Sequence, residues 1–239
     1  MEVLNDLLGY KNIKIYQNSD WFMFSLDSVL LPNFVTIPKK IDKILDLGTG
    51  NAPIPLILST KTKANIYGIE IQNDLYNLAI KTIKENKLEN QIKIINDDIK
   101  KLTEYFEQGS FSLIVSNPPY FKLEEESKLN ECLQKTIARH EIKITLDELV
   151  QISSKLLKNK GIFAIVHRTD RLIEIIETFR KYNITPKKMQ LIYPKSNSNS
   201  NMVLIEGIKN GKNGLKVLKP IVAHEENGEY TEEIKKIFE

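Results

Sequence analysis

The sequence predicts an α/β fold with a seven-stranded, mostly parallel sheet, an antiparallel last strand and helices on both faces. Three observations lead there. Short β-rich apolar runs alternate with amphipathic stretches, the pattern of βαβ units. The first run enters a glycine turn and then at once a helix, in Ile44-Leu45-Asp46-Leu47-Gly48-Thr49-Gly50-Asn51-Ala52. A later run, Phe111 to Ser116, stops against two prolines in Asn117-Pro118-Pro119-Tyr120.

In chain order, residues 1–40 read as an N-terminal extension, with apolar alternation near Ile13 to Phe24 and a helix over Leu26 to Phe34. Residues 41–239 read as a single domain. Strands are predicted at Lys43 to Leu47, Asn65 to Ile71, Ile92 to Asn96, Ser112 to Ser116, Gly161 to His167, Lys188 to Tyr193 and Met202 to Ile208. Helical periodicity runs over Pro53 to Ser59, where both prolines fall in the first turn, and over Asp74 to Asn86, Asp98 to Glu107, Leu146 to Leu157 and Arg171 to Tyr182. The last two strands follow a turn at Pro186, and only the polar stretch Lys195 to Asn201 connects them. A link without a helix suits an antiparallel pair at the end of the sheet. Residues 121–142 read as a long loop beside a strand end.

Composition excludes several classes. With 41% hydrophobic and 27% charged residues, the chain has a globular rather than a disordered balance. Cys132 is the only cysteine, so an internal disulfide and a thiolate zinc cluster are both excluded, and a reducing cytoplasm is expected. His140, His167 and His224 lack ligand spacing, so no metal is expected. No signal-like start or membrane-length apolar run is found, and a membrane partner is not expected. A monomer is the favoured state. Charge is uneven: residues 143–220 carry 15 Lys+Arg against 6 Asp+Glu, while residues 1–142 carry 17 against 19. Such a block could be a footprint for a polyanion, or lysines on solvated helix faces.

Gly48 and Gly50 occupy the first βα turn, on the sheet edge where ligands bind. Glu70 ends the next strand about 20 residues later, the place from which a carboxylate takes ribose hydroxyls. Asp98 and Ile99 close the third strand, where one can hold an adenine amine and the other its face. A helix N-cap is the competing reading for Asp97 or Asp98. A nicotinamide cofactor would satisfy these features equally.

Asn117 decides between them. Its amide, with the Pro118 carbonyl, can accept both hydrogens of an amine, while the prolines stiffen the mount and Tyr120 and Phe121 offer a surface for an extruded base. An amine conjugated to a purine is a poor nucleophile, so acceptors that strengthen as its nitrogen gains charge are the useful ones.

On these residues the chain resembles class I, Rossmann-like methyltransferases that modify exocyclic or amide nitrogens. More narrowly, it resembles the bacterial tRNA adenine-N6 methyltransferases that act 3′ of the anticodon, first known from a valine tRNA. The likeness extends to Phe24 through Leu31, Ala138-Arg139-His140-Glu141, His167-Arg168, Pro194-Lys195, Asn201 through Gly207, Leu215 through Pro220 and Gly228 through Thr231. Ala52 stands where glycine is commoner, and a methyl group is expected to be tolerated there. The resemblance implies S-adenosylmethionine as cofactor, with S-adenosylhomocysteine as product, and tRNA as partner. It implies cofactor contacts from Phe24, Ser25, Asp27, Asp46, Gly48, Gly50, Glu70, Ile71, Asp98, Ile99 and Asn117, with the extension covering the pocket. Catalysis falls to Asn117, Pro118, Pro119 and Tyr120. The candidate RNA contacts are Phe121, Arg139, His140, Arg168 and Lys195, of which the four basic residues follow strand ends or the long loop on the active-site edge; a surface ion pair is the competing reading for each of those four. Three rivals share parts of this pattern: glutamine N5-methylation of a release factor, guanine N2-methylation of ribosomal RNA, and a silent RNA-binding module. The first carries a helical domain ahead of its core, whereas about 40 residues precede the first sheet strand here.

Overall fold

Alternation splits the side chains of each strand between two faces, and this decides how the layers assemble in the computed structural model, which describes residues 1–8, 10–18, 25–118 and 144–237. The chain begins with an antiparallel hairpin, β1 (Glu2–Leu7) and β2 (Tyr10–Asn18), followed by α1 (Leu26–Phe34). The main sheet and its helices follow: β3 (Lys43–Leu47), α2 (Pro53–Lys61), β4 (Asn65–Ile69), α3 (Asn73–Glu85), β5 (Ile92–Ile95), α4 (Leu102–Tyr105) and β6 (Phe111–Ser116). After residue 143 come α5 (Leu146–Leu156), β7 (Leu157–Arg168), α6 (Leu172–Lys181), β8 (Ile184–Tyr193), β9 (Met202–Lys209), β10 (Lys216–Val217), β11 (Ile221–Val222) and α7 (Glu232–Ile237).

The sheet order is β10-β8-β9-β7-β6-β3-β4-β5, with β11 also paired to β8. All of its pairings are parallel except those of β9, which runs against both β7 and β8. Seven of the nine strands are those predicted. Two details differ. The antiparallel strand lies inside the sheet edge, because its partner β8 continues outward to β10 and β11. Pro186 lies within β8, at an irregularity in its register with β9, and not in a turn before it. β10 first pairs β8 at Lys188, beyond Pro186, so the missing N–H of Pro186 breaks no ladder on that side.

Ile44 faces a core with Val29, Leu31, Ile57 and the hairpin residues Leu7 and Ile15. Leu45, its neighbour, faces the other core with Leu149, Phe163 and Phe179. The predicted helix from Asp98 to Glu107 is only a 3₁₀ turn, Ile99–Lys101, and the four residues of α4. Phe106 leaves it in extended conformation and packs edge-on against Tyr67 and Phe111, at 5.0 and 4.8 Å between ring centres. That aromatic contact ends the helix. α5 starts with a full capping box, Thr145 with Glu148.

Two sets of polar ties hold the N-terminal region. Asn86, the C-cap of α3, accepts from Lys14 N at 2.9 Å and donates to Lys14 O at 2.6 Å, while Thr82 Oγ1 of the helix accepts from Tyr16 N at 3.0 Å. Side chains of α3 and its cap thus satisfy the open edge of β2, which would otherwise lack partners. At the far end of α1, Glu206 of β9 accepts from Thr36 N at 2.8 Å and from Thr36 Oγ1 at 2.6 Å. Lys188 and Lys61 donate to the terminal carbonyls of Phe34 and Pro32, at 2.7 and 2.9 Å.

Candidate active site

The glycine turn lies at the C-terminal end of β3. Gly48 and Gly50 adopt positive φ, +74° and +57°, and a Cβ on either would meet nothing among the described residues within 4 Å. Gly48 N and Thr49 N both donate to Ile69 O at 3.0 Å, joining the ends of β3 and β4. Asn51 Nδ2 donates to Tyr16 O at 2.8 Å, which fastens the hairpin to the same turn. Ala52, just before α2, is itself left-handed, with φ 72°. A Cβ is strained in that conformation, which is why glycine is commoner there, and Ala52 is accommodated at 0% exposure.

Buried carboxyl groups line this part of the edge. Asp46 is fully buried, with Oδ2 accepting from Thr49 Oγ1 at 2.6 Å and Oδ1 without a hydrogen-bond partner. Burial pushes its pKa up to about 7, and the Glu70 charge adds to the rise. Glu70 accepts from Gly50 N and Gln72 N, each at 2.9 Å, so one carboxylate spans the turns after β3 and β4. Burial raises its pKa, against the lowering effect of those backbone bonds. Ile71, the next residue, is 40% exposed although large and apolar.

After β5 the two aspartates divide their work. Asp97 accepts from Tyr105 at 2.6 Å, and Lys101 is 2.9 Å away; these two side chains hold its pKa low, at about 2. Asp98 caps the 3₁₀ turn, with Oδ1 accepting from Lys100 N at 2.9 Å. The N-cap reading is therefore true of Asp98, and Asp97 is committed elsewhere. Ile99 is half-buried beside it.

This set fits a cationic nucleoside donor. Backbone approach needs a turn without side chains, an ammonium group needs a carboxylate acceptor, a ribose needs a carboxylate at a strand end and a purine needs an apolar face, and the described residues include one of each.

The strand beside β3 carries the rest. β3 and β6 pair in parallel with Leu47 opposite Ser116, so Gly48 and Asn117 follow on adjacent strands at the same level. Asn117 Nδ2 donates to Ser28 Oγ of α1 at 3.0 Å, and Pro118 is buried. At the N-cap of α1, Ser25 Oγ donates to Asp27 Oδ2 at 3.2 Å. Phe24, Pro119, Tyr120, Phe121, Arg139, His140 and the predicted loop at 121–142 lie outside the described residues.

His167 is the penultimate residue of β7, and the register that puts Ser116 opposite Ile165 brings it level with Pro118. It accepts from Arg168 N at Nδ1, 2.8 Å, with the Arg171 guanidinium 3.3 Å from Nε2. Burial first, then the Arg171 charge, depresses its pKa to about 4. Arg168 pairs with Asp170 at 3.3 Å, and Lys195 donates to Glu226 O at 3.0 Å. Both stand at strand ends on the Asn117 side of the sheet. The basic block as a whole does not gather there: Lys158 pairs with Asp42 before β3, and Lys209 donates to the carbonyls of Ser154 and Leu157, at the opposite rim. Ser28, Thr49, Asn51 and Arg171, which the sequence reading does not single out, touch Asn117, Asp46, Tyr16 and His167 respectively. The upstream run Phe24 to Leu31 contains Ser28, and the glycine turn contains Thr49 and Asn51.

Residues 38–234 match the model of a methyltransferase domain family. The chain is 25% identical over 232 residues to the tRNA1(Val) (adenine(37)-N6)-methyltransferase of Bacteroides thetaiotaomicron, with 95% of each covered. It is 31% identical over 179 residues to the protein of that name from Porphyromonas gingivalis, covering 71% of this chain and 68% of that one. Among solved structures, a predicted O-methyltransferase of Agrobacterium tumefaciens shares the fold, with a TM-score of 0.70 and 17% identity over 89% of this chain and 95% of its own.

Proposed function

The chain belongs to the methyltransferase domain family and, within it, to the tRNA1(Val) (adenine(37)-N6)-methyltransferases, and from that premise we propose that it transfers a methyl group from S-adenosylmethionine to the exocyclic N6 of adenine 37 in a tRNA. The observation that carries the reading is the juxtaposition of Asn117 with the glycine turn on neighbouring parallel strands. An amine held by the first lies next to whatever the second binds.

Asp46, Gly48, Gly50, Glu70, Ile71, Asp98 and Ile99 hold the cofactor in this proposal, with Phe24, Ser25 and Asp27 from the extension that covers it. Bound there, S-adenosylmethionine supplies an electrophilic methyl group that requires no further activation. The chain's own contribution is alignment, which can lower a barrier by roughly 7–11 kcal/mol. Asn117 Oδ1 and the Pro118 carbonyl accept the two amine hydrogens and leave the nitrogen lone pair directed at the methyl carbon. As that nitrogen gains positive charge, both hydrogen bonds strengthen, so they favour the transition state over the bound substrate. Pro119 fixes the mount, while Tyr120 and Phe121 stack on the flipped base. Arg139, His140, Arg168 and Lys195 meet the RNA backbone.

The test is incubation with labelled S-adenosylmethionine and total RNA from a strain lacking the protein, followed by mass spectrometry of the nucleosides. N6-methyladenosine at position 37 of a tRNA is the expected product. Label in N2-methylguanosine, or in protein alone, would replace this reading by the ribosomal or the glutamine one.

A further inference from the structure

We infer that Gln17 of β2 donates to the carboxylate at the amino-acid end of S-adenosylmethionine, while Asp46 takes the ammonium. This rests on the cofactor reading above and brings the N-terminal hairpin into the site. Buried polar atoms in a folded chain nearly always have a hydrogen-bond partner, so each exception calls for an explanation. Among the described residues, two buried side-chain atoms have none: Gln17 Nε2 and Asp46 Oδ1. The first is a donor and the second an acceptor. The carboxylate and ammonium of an amino acid need one of each.

The glycine turn holds both residues. Asp46 Oδ2 accepts from Thr49 Oγ1 at 2.6 Å, and the Tyr16 carbonyl, in the peptide that leads into Gln17, accepts from Asn51 Nδ2 at 2.8 Å. Thr49 and Asn51 flank Gly50, where a Cβ would meet nothing among the described residues within 4 Å. The hairpin also keeps the Gln17 amide from water. Side chains alternate along β2, so Gln17 shares a face with Ile15, which belongs to the core with Val29 of α1 and Ile57 of α2. Gln17 is 5% exposed, and its Oε1 accepts from Asn5 Nδ2 of β1 at 2.8 Å. One end of the amide is thus used within the hairpin, and the other is left for a ligand.

The test compares two ligands by calorimetry: S-adenosylhomocysteine, and 5′-methylthioadenosine, which keeps the nucleoside and the sulfur but lacks the amino-acid end. Gln17→Met, similar in length but without a donor, should weaken S-adenosylhomocysteine binding about 10- to 100-fold, the worth of one hydrogen bond to a charged group. Binding of 5′-methylthioadenosine should change less than about twofold, since that ligand offers no carboxylate. Gln17→Glu should lose more than Gln17→Met, because it sets a carboxylate against a carboxylate. The thermal midpoint of the ligand-free protein should not fall in Gln17→Met, which removes a buried donor that has no partner there. Equal losses for the two ligands, with a lowered midpoint, would make Gln17 a packing residue and overturn the inference. Unchanged S-adenosylhomocysteine affinity would overturn it too, and tighter binding by Gln17→Glu would put the ammonium at this position instead. Wild-type protein that binds neither ligand would overturn the cofactor reading itself, and the inference with it.

Discussion

From β3 to β5 the ligand-bearing edge of the sheet is lined by acids, Asp46, Glu70, Asp97 and Asp98; from β6 to β8 it is lined by Asn117, His167, Arg168, Arg171 and Lys195. The buried groups of the two halves shift in opposite senses as well. Burial raises the pKa of Asp46 to about 7 and lifts that of Glu70, while burial and Arg171 drop that of His167 to about 4. In all three cases burial disfavours the charged form. The difference matches the proposed ligands, a cation on one side and a polyanion on the other. It also separates two ways of building. In the first half Glu70 and Asp98 are satisfied by backbone N–H groups of adjacent turns, Gly50 and Gln72 for the one and Lys100 for the other. In the second half Asn117 is set by a helix far away in sequence, and Arg168 and Lys195 by ordinary surface partners.

Substitutions in the two halves should therefore fail differently. The largest effect is expected at Asn117. Asn117→Ala should lower kcat by about 10²- to 10³-fold, by analogy with loss of one polar transition-state partner, and leave the Kd for S-adenosylhomocysteine within about threefold. A near-normal rate in single-turnover experiments would remove Asn117 from the chemistry and with it the division of labour between the halves. Glu70→Ala should do the reverse. Losing a charged acceptor should weaken S-adenosylhomocysteine binding about 10- to 100-fold by calorimetry, with kcat at saturating cofactor much less affected. Equal losses in kcat and affinity would mean that the two halves act as one unit.

A third test uses protons. The native-state pKa of Asp46 lies above its unfolded value of 3.8, so its protonated form favours folding in acid and that contribution is lost as pH rises through about 7. His167 has a native pKa below its unfolded 6.5, so its contribution is present above that value and is lost as pH falls toward about 4. Between about pH 4 and 6.5 the two slopes oppose each other. Asp46→Asn removes the first, so the variant should gain thermal stability from pH 4.5 to 6.5 by a few degrees more than the wild type does. Parallel profiles for the two proteins would show that Asp46 titrates near its ordinary value, and the contrast between the halves would lose its electrostatic basis.

The first half was largely legible in the sequence and the second only in part, for a physical reason. Gly48, Gly50 and Glu70 lie within one βαβ unit, where strand length and turn chemistry fix their spacing. The contact of Asn117 with Ser28 and that of Asn51 with Tyr16 join elements that no local period connects. The strands β10 and β11, two residues each, are too short for alternation to register and exist by pairing with β8. The inner position of β9 was hidden because antiparallel pairing demands adjacency, not an edge. Helix α4 fell short of its predicted length because Phe106 left it for an aromatic cluster assembled from β4 and β6.

Ala52 gives the smallest expected effect and tests how completely the first half is optimised. Its left-handed backbone costs about 1–2 kcal/mol relative to glycine. Two terms offset this: a glycine would add back about 0.5–1 kcal/mol of unfolded-state entropy, and its missing methyl group would forfeit about 0.8 kcal/mol of burial at a position that is 0% exposed. The three nearly cancel, so Ala52→Gly should shift stability by less than about 0.5 kcal/mol, or roughly 2 °C in thermal midpoint for a chain of this size. A gain above about 1 kcal/mol would mean that strain is stored in the turn, and tighter S-adenosylhomocysteine binding by the same variant would locate that strain in the backbone that meets the cofactor. A comparable loss would instead make the methyl group part of the packing that holds Gly48 and Gly50 in place.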